Sequence, residues 1–236
     1  MLEELKQRVC AANLELVARG LVLLTWGNAS AIDRKSGLVV IKPSGVSYDG
    51  MEARHMAVVS LENGRLVEGG LKPSSDTATH LALYRAFPSL GGVVHTHSAH
   101  ATAWSQAECD IPALGTTGAD HFHGAIPCTR RMTDDEIEGD YEANTGAVIV
   151  ERFSGLNAAA VQAVLVANHG PFAWGSTVEK AVENAIVLEY IAGLATETLA
   201  LNARVGSMSR ALLDKHFLRK HGPGAYYGQS GTGGYG

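Results

Sequence analysis

Two histidines one residue apart, His95 and His97, close the segment Gly91-Gly92-Val93-Val94-His95-Thr96-His97, whose apolar run reads as a β-strand. Alternate residues of a strand share a face, so both imidazoles point one way and Thr96 points the other. Two neutral imidazoles one pleat apart can share a divalent metal ion; they can equally be ordinary core or surface histidines. His169 ends a second apolar stretch, AVLVANHGPFAWG, beside Gly170-Pro171, where the backbone is expected to break. Asp76 stands at an expected helix start, where its side chain is oriented, although the helix dipole alone also favours an acid there. Three imidazoles plus one carboxylate match a zinc-type site with a displaceable position.

A second group is small and polar: Gly27-Asn28, Ser44-Gly45 and Ser74-Ser75, with Lys42 nearby. Each pair is an ordinary turn or cap when taken singly. Together they offer hydroxyls, an amide and unobstructed backbone N–H groups, the chemistry that cradles a phosphate. A third group lies near the C-terminus in DKHFLRKHGPGAYYG. There His216 and Arg219 are three apart and share one side of an expected helix, with Lys215 and Lys220 beside them. Such a basic face is usually just solvated, but the Gly-flanked tyrosines after it suit an arm reaching a neighbouring subunit.

These groups need elements to hold them. The first twenty residues are an amphipathic helix pattern. ASAIDRKSGLVVIKPSG reads as two strands about the turn 34–37, and AVVSLENGRLVEG as a hairpin turning at Asn63-Gly64. Ser75 is the expected N-cap of a helix through Thr77, Leu81 and Tyr84 that Pro88 ends. A helix over 99–107 follows the histidine strand, and AVIVE (147–151) and AVLVANHGPFAWG read as further strands, the latter broken at Gly170-Pro171. A long helix from Thr177 to about Arg204 and a shorter one from Ser209 to about Lys220 complete the pattern. The expected architecture is α/β with layered α+β character: one domain over 1–229, a central, mainly antiparallel sheet flanked by helices. Residues 230–236, SGTGGYG, read as a flexible Gly-rich tail.

Composition narrows the function classes. Hydrophobic residues make up 46% and charged residues 18% of the 236, which supports a folded core and argues against disorder. A net charge of -5 gives no reason to expect nucleic acid or an anionic membrane as partner. The start lacks a signal-peptide pattern, and no apolar run approaches a membrane span. Cys10, Cys109 and Cys128 are odd in number and form no CxxC, so a cytoplasmic protein without disulfides is expected.

PSSD at 73–76, GGVVHTHSAHAT at 91–102, GTTGADHFHGAIPCTR at 115–130 and HGPFAWG at 169–175 resemble the class II aldolase/adducin superfamily. Within it the match is fullest to the L-ribulose-5-phosphate 4-epimerase family, running from Met1 through LLDKHFLRKHG to Gln229. The resemblance implies a Zn²⁺ site, open to other divalent ions such as Mn²⁺, made of Asp76, His95, His97 and His169. It implies substrate and phosphate contacts from Gly27, Asn28, Ser44, Gly45, Ser74 and Ser75. It gives acid/base roles to Asp120 and Tyr227, the tyrosine coming from an adjacent subunit of a homotetramer with sites at its interfaces. Thr116, Glu142, His216 and Arg219 match positions around the same site. His121 and His123 depart from the family pattern, where aromatic residues follow Asp120; Asn168 departs from the small polar residue usual before His169.

The implied chemistry explains the residue types. C4 of L-ribulose 5-phosphate bears a hydroxyl and no acidic C–H, so its inversion needs retro-aldol cleavage of C3–C4, rotation of the aldehyde fragment and re-addition. Two acid/base groups must flank that carbon, and a Lewis acid must stabilise the enediolate. The alternative within the superfamily is a sugar-phosphate aldolase of the L-fuculose-phosphate type, in which a Glu replaces Asp76 as proton shuttle. A non-catalytic cytoskeletal relative should lack the histidines, and a methylthioribulose-phosphate dehydratase is disfavoured by the full-length match.

Overall fold

Seven strands form one sheet in the computed structural model, which describes residues 2–226. In chain order the elements are α1 (Leu2–Ala18), β1 (Gly27–Asp33), β2 (Leu38–Ile41), β3 (Ala57–Ser60), β4 (Leu66–Glu68), α2 (Thr77–Ala86), β5 (Gly92–Thr96) and α3 (Ala99–Ala107). They continue with α4 (Thr116–Ala119), α5 (Asp134–Glu138), α6 (Tyr141–Arg152), β6 (Ala163–Val166), β7 (Gly170–Gly175), α7 (Val178–Leu201) and α8 (Arg210–His221). The strand order is β4-β3-β2-β1-β5-β7-β6, and every neighbouring pair is antiparallel. The expected central antiparallel sheet is present.

Both sheet faces are covered, so β5 and β6 are buried along their whole length instead of alternating. On the face of Val93, His95, Phe172 and Trp174 lie α2 and α6, with Phe87 and Phe153 packed on the Trp174 ring at 5.8 and 5.0 Å. The other face, that of Ala29, Val94 and Ala173, carries α1, α3 and α7. Asn13 of α1 fastens that layer: its amide accepts from Ala29 N and donates to Ala29 O, at 2.9 and 3.1 Å.

Three expectations change. Residues 147–151 are not a strand but the second half of α6, whose Gly146 lets it press against α2; an added Cβ there would stand 2.5 Å from the Ala82 methyl. The break after β6 falls at Asn168, in left-handed backbone at φ 61°, and Gly170-Pro171 already belong to β7. Helix α2 begins one residue late: Asp76, not Ser75, occupies its N-cap position, and no side chain caps it.

Helix α7 also corrects the membrane argument, because by length and composition alone it could cross a bilayer, at a mean hydropathy of 1.2. Its role here is different. Val178, Ala181, Val182, Ala185, Leu188, Ala192 and Ala195 form one buried stripe against the sheet. Its Glu189 accepts from His100 N and Ala101 N at 2.8 and 2.9 Å, capping α3 from outside. Tyr227 and the 230–236 tail lie outside the described residues.

Close approach of α7 to β5 depends on Gly92, where a Cβ would sit 2.4 Å from Val178 Cα. Backbone cannot yield as a side chain does, so Gly92→Ala should cost about 1–3 kcal/mol through overpacking. Thermal unfolding should show a melting temperature lower by about 3–10 °C; an unchanged value would mean that α7 stands off the strand in solution.

Candidate active site

The antiparallel register puts Asn28 of β1 and Phe172 of β7 directly beside His95 of β5. Those three side chains therefore emerge together on the α2 face. Helix α2 meets them with Asp76, His80 and Tyr84, spaced four apart along one side. Ser30, two residues after Asn28 on the same face, joins the layers: its hydroxyl lies 2.7 Å from His80 Nδ1 and 2.9 Å from the Tyr84 hydroxyl. Just beyond the end of β5, His97 continues the alternation and is solvent-exposed. His169 arrives from the turn between β6 and β7.

His95, His97 and His169 bring one ring nitrogen each to within 4.8 Å of one another, a group that could hold a metal ion. His95 donates from Nδ1 to Pro171 O at 3.0 Å, which leaves the Nε2 lone pair turned inward. That Nε2 stands 3.1 Å from His97 Nε2. Two imidazoles on one tetrahedral zinc have nitrogens about 3.3 Å apart, so the spacing fits a shared cation. Burial drives all three imidazoles below their ordinary pKa, most strongly His95, and the neighbouring rings add to the effect at His95 and His169. Neutral rings are what a metal requires.

Asp76 lines the same cleft, outside the three-imidazole group. Its Oδ2 accepts from Asn28 Nδ2 at 2.6 Å and from the Ser74 hydroxyl at 3.4 Å. Burial pushes this carboxyl up, but His95, His80 and the Asn28 amide outweigh it and hold it below the usual range. The carboxylate is therefore ionised next to neutral rings, and its contribution to a cation site would be charge.

Beside the histidines the cleft of about 400 Å³ is walled by Asn28, Ser44, Gly45, Ser74 and Ser75. Two backbone bonds bring the last four together: Ser44 N to Lys72 O at 2.9 Å and Ser74 N to Lys42 O at 3.0 Å. Lys42 is buried, its Nζ donating to Val46 O at 2.9 Å, and thus staples the turn under Ser44-Gly45. Gly45 needs its φ of 65°, and an added Cβ would meet nothing, so the turn opens onto the cleft. Gly27 completes the wall, its carbonyl accepting from the Tyr48 hydroxyl at 2.7 Å.

Asp120 does not join this cleft. It ends α4 and holds α8, accepting from His216 Nδ1 and Arg219 at 2.9 Å, with Lys220 at 3.5 Å. Burial would raise its carboxyl; Arg219, His216 and Lys220 outweigh that and keep it low. Thr116 opens the same short helix, and Tyr227 lies outside the described residues. Thr25, Trp26 and Tyr141 line the cleft as well, together with Glu142. Sequence reasoning missed the first three; the Asp140 N-cap before Tyr141, which accepts from Ala143 N, was the available signal for a helix there. A separate apolar cavity of about 190 Å³ beside α4 and α7 shares no lining residue with the cleft and has no charged wall.

Residues 7–196 match the family profile described as Class II Aldolase and Adducin N-terminal domain. The chain belongs to the class II aldolase and adducin family. Over 228 residues it is 55% identical to proteins named L-ribulose-5-phosphate 4-epimerase UlaF from Salmonella paratyphi C (strain RKS4594) and Salmonella choleraesuis (strain SC-B67), covering 97% of this chain and 100% of each relative. A solved L-fuculose 1-phosphate aldolase superposes with a TM-score of 0.76 at 24% identity, covering 90% of this chain and 94% of that one, a likeness of fold. Class II aldolases are metal-dependent, and in this family member the three-imidazole group is where such an ion could sit.

Replacing His97 by Asn should lower bound divalent metal after dialysis and weaken metal affinity more than about tenfold; full metal content with full activity would remove His97 from the site. The metal-free protein should also be acid-sensitive. Burial holds His80 down to about 3 in the fold, whereas the unfolded chain takes up that proton near pH 6.5. Stability is therefore greatest above 6.5 and declines as pH falls, by on the order of 1–2 kcal/mol between pH 7 and 5. Urea titrations of the metal-stripped protein with the same midpoint at both pH values would contradict this.

Proposed function

We propose that the chain is an L-ribulose-5-phosphate 4-epimerase, interconverting L-ribulose 5-phosphate and D-xylulose 5-phosphate in cytoplasmic pentose catabolism, of arabinose or of ascorbate. The observation that carries this reading is the 55% identity along the full length of relatives so named. Asp76 supports it against an aldolase, since a carboxylate one methylene shorter than Glu suits holding charge at a cation better than carrying protons.

Asp76, His95, His97 and His169 would hold a divalent ion, Zn²⁺ before Mn²⁺ on an imidazole-rich donor set. Bound there, the ion supplies Lewis-acid stabilisation to negative charge developing on the ketose oxygens. The chain's own groups do the rest. Ser44, Gly45, Ser74 and Ser75 offer hydroxyls and backbone N–H groups to the phosphate, and among the described residues the N–H groups of Gly45 and Ser75 have no backbone acceptor. Asn28 Oδ1, buried with no partner among the described residues, is an acceptor for a substrate hydroxyl. A base takes the C4 hydroxyl proton, C3–C4 breaks with its electron pair left on C3, and C4 becomes an aldehyde carbon. After that fragment turns over, the bond reforms and an acid protonates the new alkoxide from the other side.

Asp120 and Tyr227 are the proposed acid/base pair. In its own chain Asp120 stands outside the cleft, on the α4–α8 unit, which supports its serving the cleft of a neighbouring copy in a homotetramer. Exposed Leu23 and Leu24 beside Trp26 at the cleft mouth suit a surface that another copy covers. Residues 1–229 would form the catalytic domain of each copy.

Metal-loaded protein given L-ribulose 5-phosphate should yield D-xylulose 5-phosphate, whereas free glycolaldehyde phosphate as main product would favour an aldolase. Tyr226 N bonds Arg219 O, within the unit that holds Asp120, so a mixing test separates that unit from the metal group. Subunits carrying His97→Asn mixed equally with subunits carrying Asp120→Asn should recover activity in about a quarter of sites. No recovery in demonstrably mixed oligomers would refute the shared site.

A further inference from the structure

The turn that delivers His169 is fixed from outside the cleft. Its three successive N–H groups are all engaged: Ala167 N donates to the Thr129 hydroxyl at 3.0 Å, Asn168 N to Ser105 O at 2.9 Å, and His169 N to Val166 O at 3.0 Å. Asn168 occupies left-handed backbone at φ 61°, a region Asn visits more readily than other side-chain-bearing residues. Its Nδ2 donates to Glu108 Oε1 at 2.8 Å. Glu108 is itself left-handed, at φ 57°, where α3 ends, and both its carboxylate oxygens accept from Arg131 Nε at 2.7 and 2.8 Å. Two residues in an unfavourable backbone region are thus tied to each other through their side chains, one directly before the third imidazole.

We propose that Asn168 is a positioning residue for His169, and that the Arg131–Glu108–Asn168 chain sets where that imidazole stands relative to His95 and His97. This rests on the reading of the three histidines as a metal site. The geometry gives each member a separate task. The left-handed turn lets β6 reverse into β7 within three residues, so that His169 leaves the chain facing His95, whose ring centroid lies 4.7 Å away. The Nδ2–Oε1 bond fixes the turn against the end of α3. Arg131 in turn keeps Glu108 oriented as an acceptor. Among the described residues one hydrogen bond reaches the His169 ring, from the Tyr141 hydroxyl to Nδ1 at 3.4 Å, too long to orient it alone; its contacts with His95 and Phe172 are ring contacts without directionality. Backbone placement by Asn168 therefore decides where the ring enters that packing. The departure from a small polar residue at 168 acquires a role: the longer amide spans the gap to Glu108.

The test is zinc affinity, read by competition with a chromophoric chelator, alongside the melting temperature of the metal-free protein. Asn168→Ala loses both the side-chain bond and the tolerance for left-handed backbone, and should raise the zinc dissociation constant about tenfold. Residue 168 is exposed, so the metal-free melting temperature should fall only by the few degrees that left-handed strain at one residue produces. Asn168→Gly restores the backbone freedom without the bond and should fall between. Glu108→Gln keeps the acceptor and should bind zinc like the unaltered chain, whereas Glu108→Ala, which loses the bond but keeps Asn at 168, should match Asn168→Gly. The double alanine variant should be no worse than Asn168→Ala alone, the mark of one shared interaction. His169→Ala separates the two levels of the argument. If it weakens zinc binding while Asn168→Ala and Glu108→Ala leave it within twofold, the positioning role is overturned and the metal site stands. Unchanged affinity in His169→Ala overturns the metal reading, and the positioning role with it.

Discussion

Strand β5 runs between β1 and β7, and its register decides on which side of the sheet the histidines and Asn28 stand. With Asn28 beside His95 and Phe172 on the far side, the odd-numbered residues of β5 face α2 and the even-numbered ones face α7. A slip of one residue would turn His95 and His97 into the apolar layer under α7 and bring Val94 and Thr96 into the cleft. Such a slip is opposed from both sides. Val93 and Trp174 would lose the aromatic pocket of Phe87 and Phe153, and a side chain would be forced into the space where Gly92 meets Val178. Burying large apolar side chains on both faces is worth far more than any single polar contact in the cleft. The core thus holds the site in register.

Setting three imidazoles and a carboxylate together under a helix opposes folding on its own terms. Desolvation keeps the rings uncharged, and the protein meets their hydrogen-bonding needs only partly: His95 has Pro171 O, His80 has the Ser30 hydroxyl, and His80 Nε2 is buried without a partner among the described residues. Burial opposes the charge on Asp76, which the neighbouring histidines and the Asn28 amide outweigh, with the Ser74 hydroxyl also donating to it in place of water. Local rules are broken here for a purpose that lies outside the chain, as is usual where a fold carries chemistry.

What was legible in the sequence follows from how local each signal is. Strand alternation at 93–97, the Gly37 and Asn63-Gly64 turns and the stripe of α7 are short-range patterns, and they appear as expected. Helix α6 was not legible, because Val148, Ile149 and Val150 favour a strand taken alone. Its helical state comes from packing against α2 through Gly146, a contact between residues far apart in sequence. That misreading hid Tyr141 as a wall of the cleft. Gly-Pro predicts a break at 170–171 because those residues commonly end strands. The backbone reverses at Asn168 instead, and Pro171 is tolerated in β7, where its carbonyl is needed by His95. The cleft residues from Gly27 to His169 do converge. Asp120 does not, because it is held on the α4–α8 unit by His216 and Arg219, 96 and 99 residues further along the chain, and no local pattern shows such contacts.

A TM-score of 0.76 with an L-fuculose 1-phosphate aldolase means that epimerisation and aldol cleavage are compatible with one scaffold. The bond broken is of the same kind, so the scaffold cannot choose between the two outcomes. The choice must lie in whether the aldehyde fragment is retained long enough to turn and be attacked on its other face. Retention asks for a phosphate cradle that holds one end while leaving the carbonyl free, together with proton donors on both sides of the reacting carbon. In this chain the proposed cradle consists of turn residues braced by a buried lysine, and Asp120 stands outside that cleft on the α4–α8 unit. In the proposed shared site, an acid/base group supplied by a neighbouring copy would reach the face opposite the histidines without inserting another element into a sheet already covered on both sides. Assembly would then be part of the chemistry: an isolated chain could bind the ketose but would have nothing on the far side to complete the inversion.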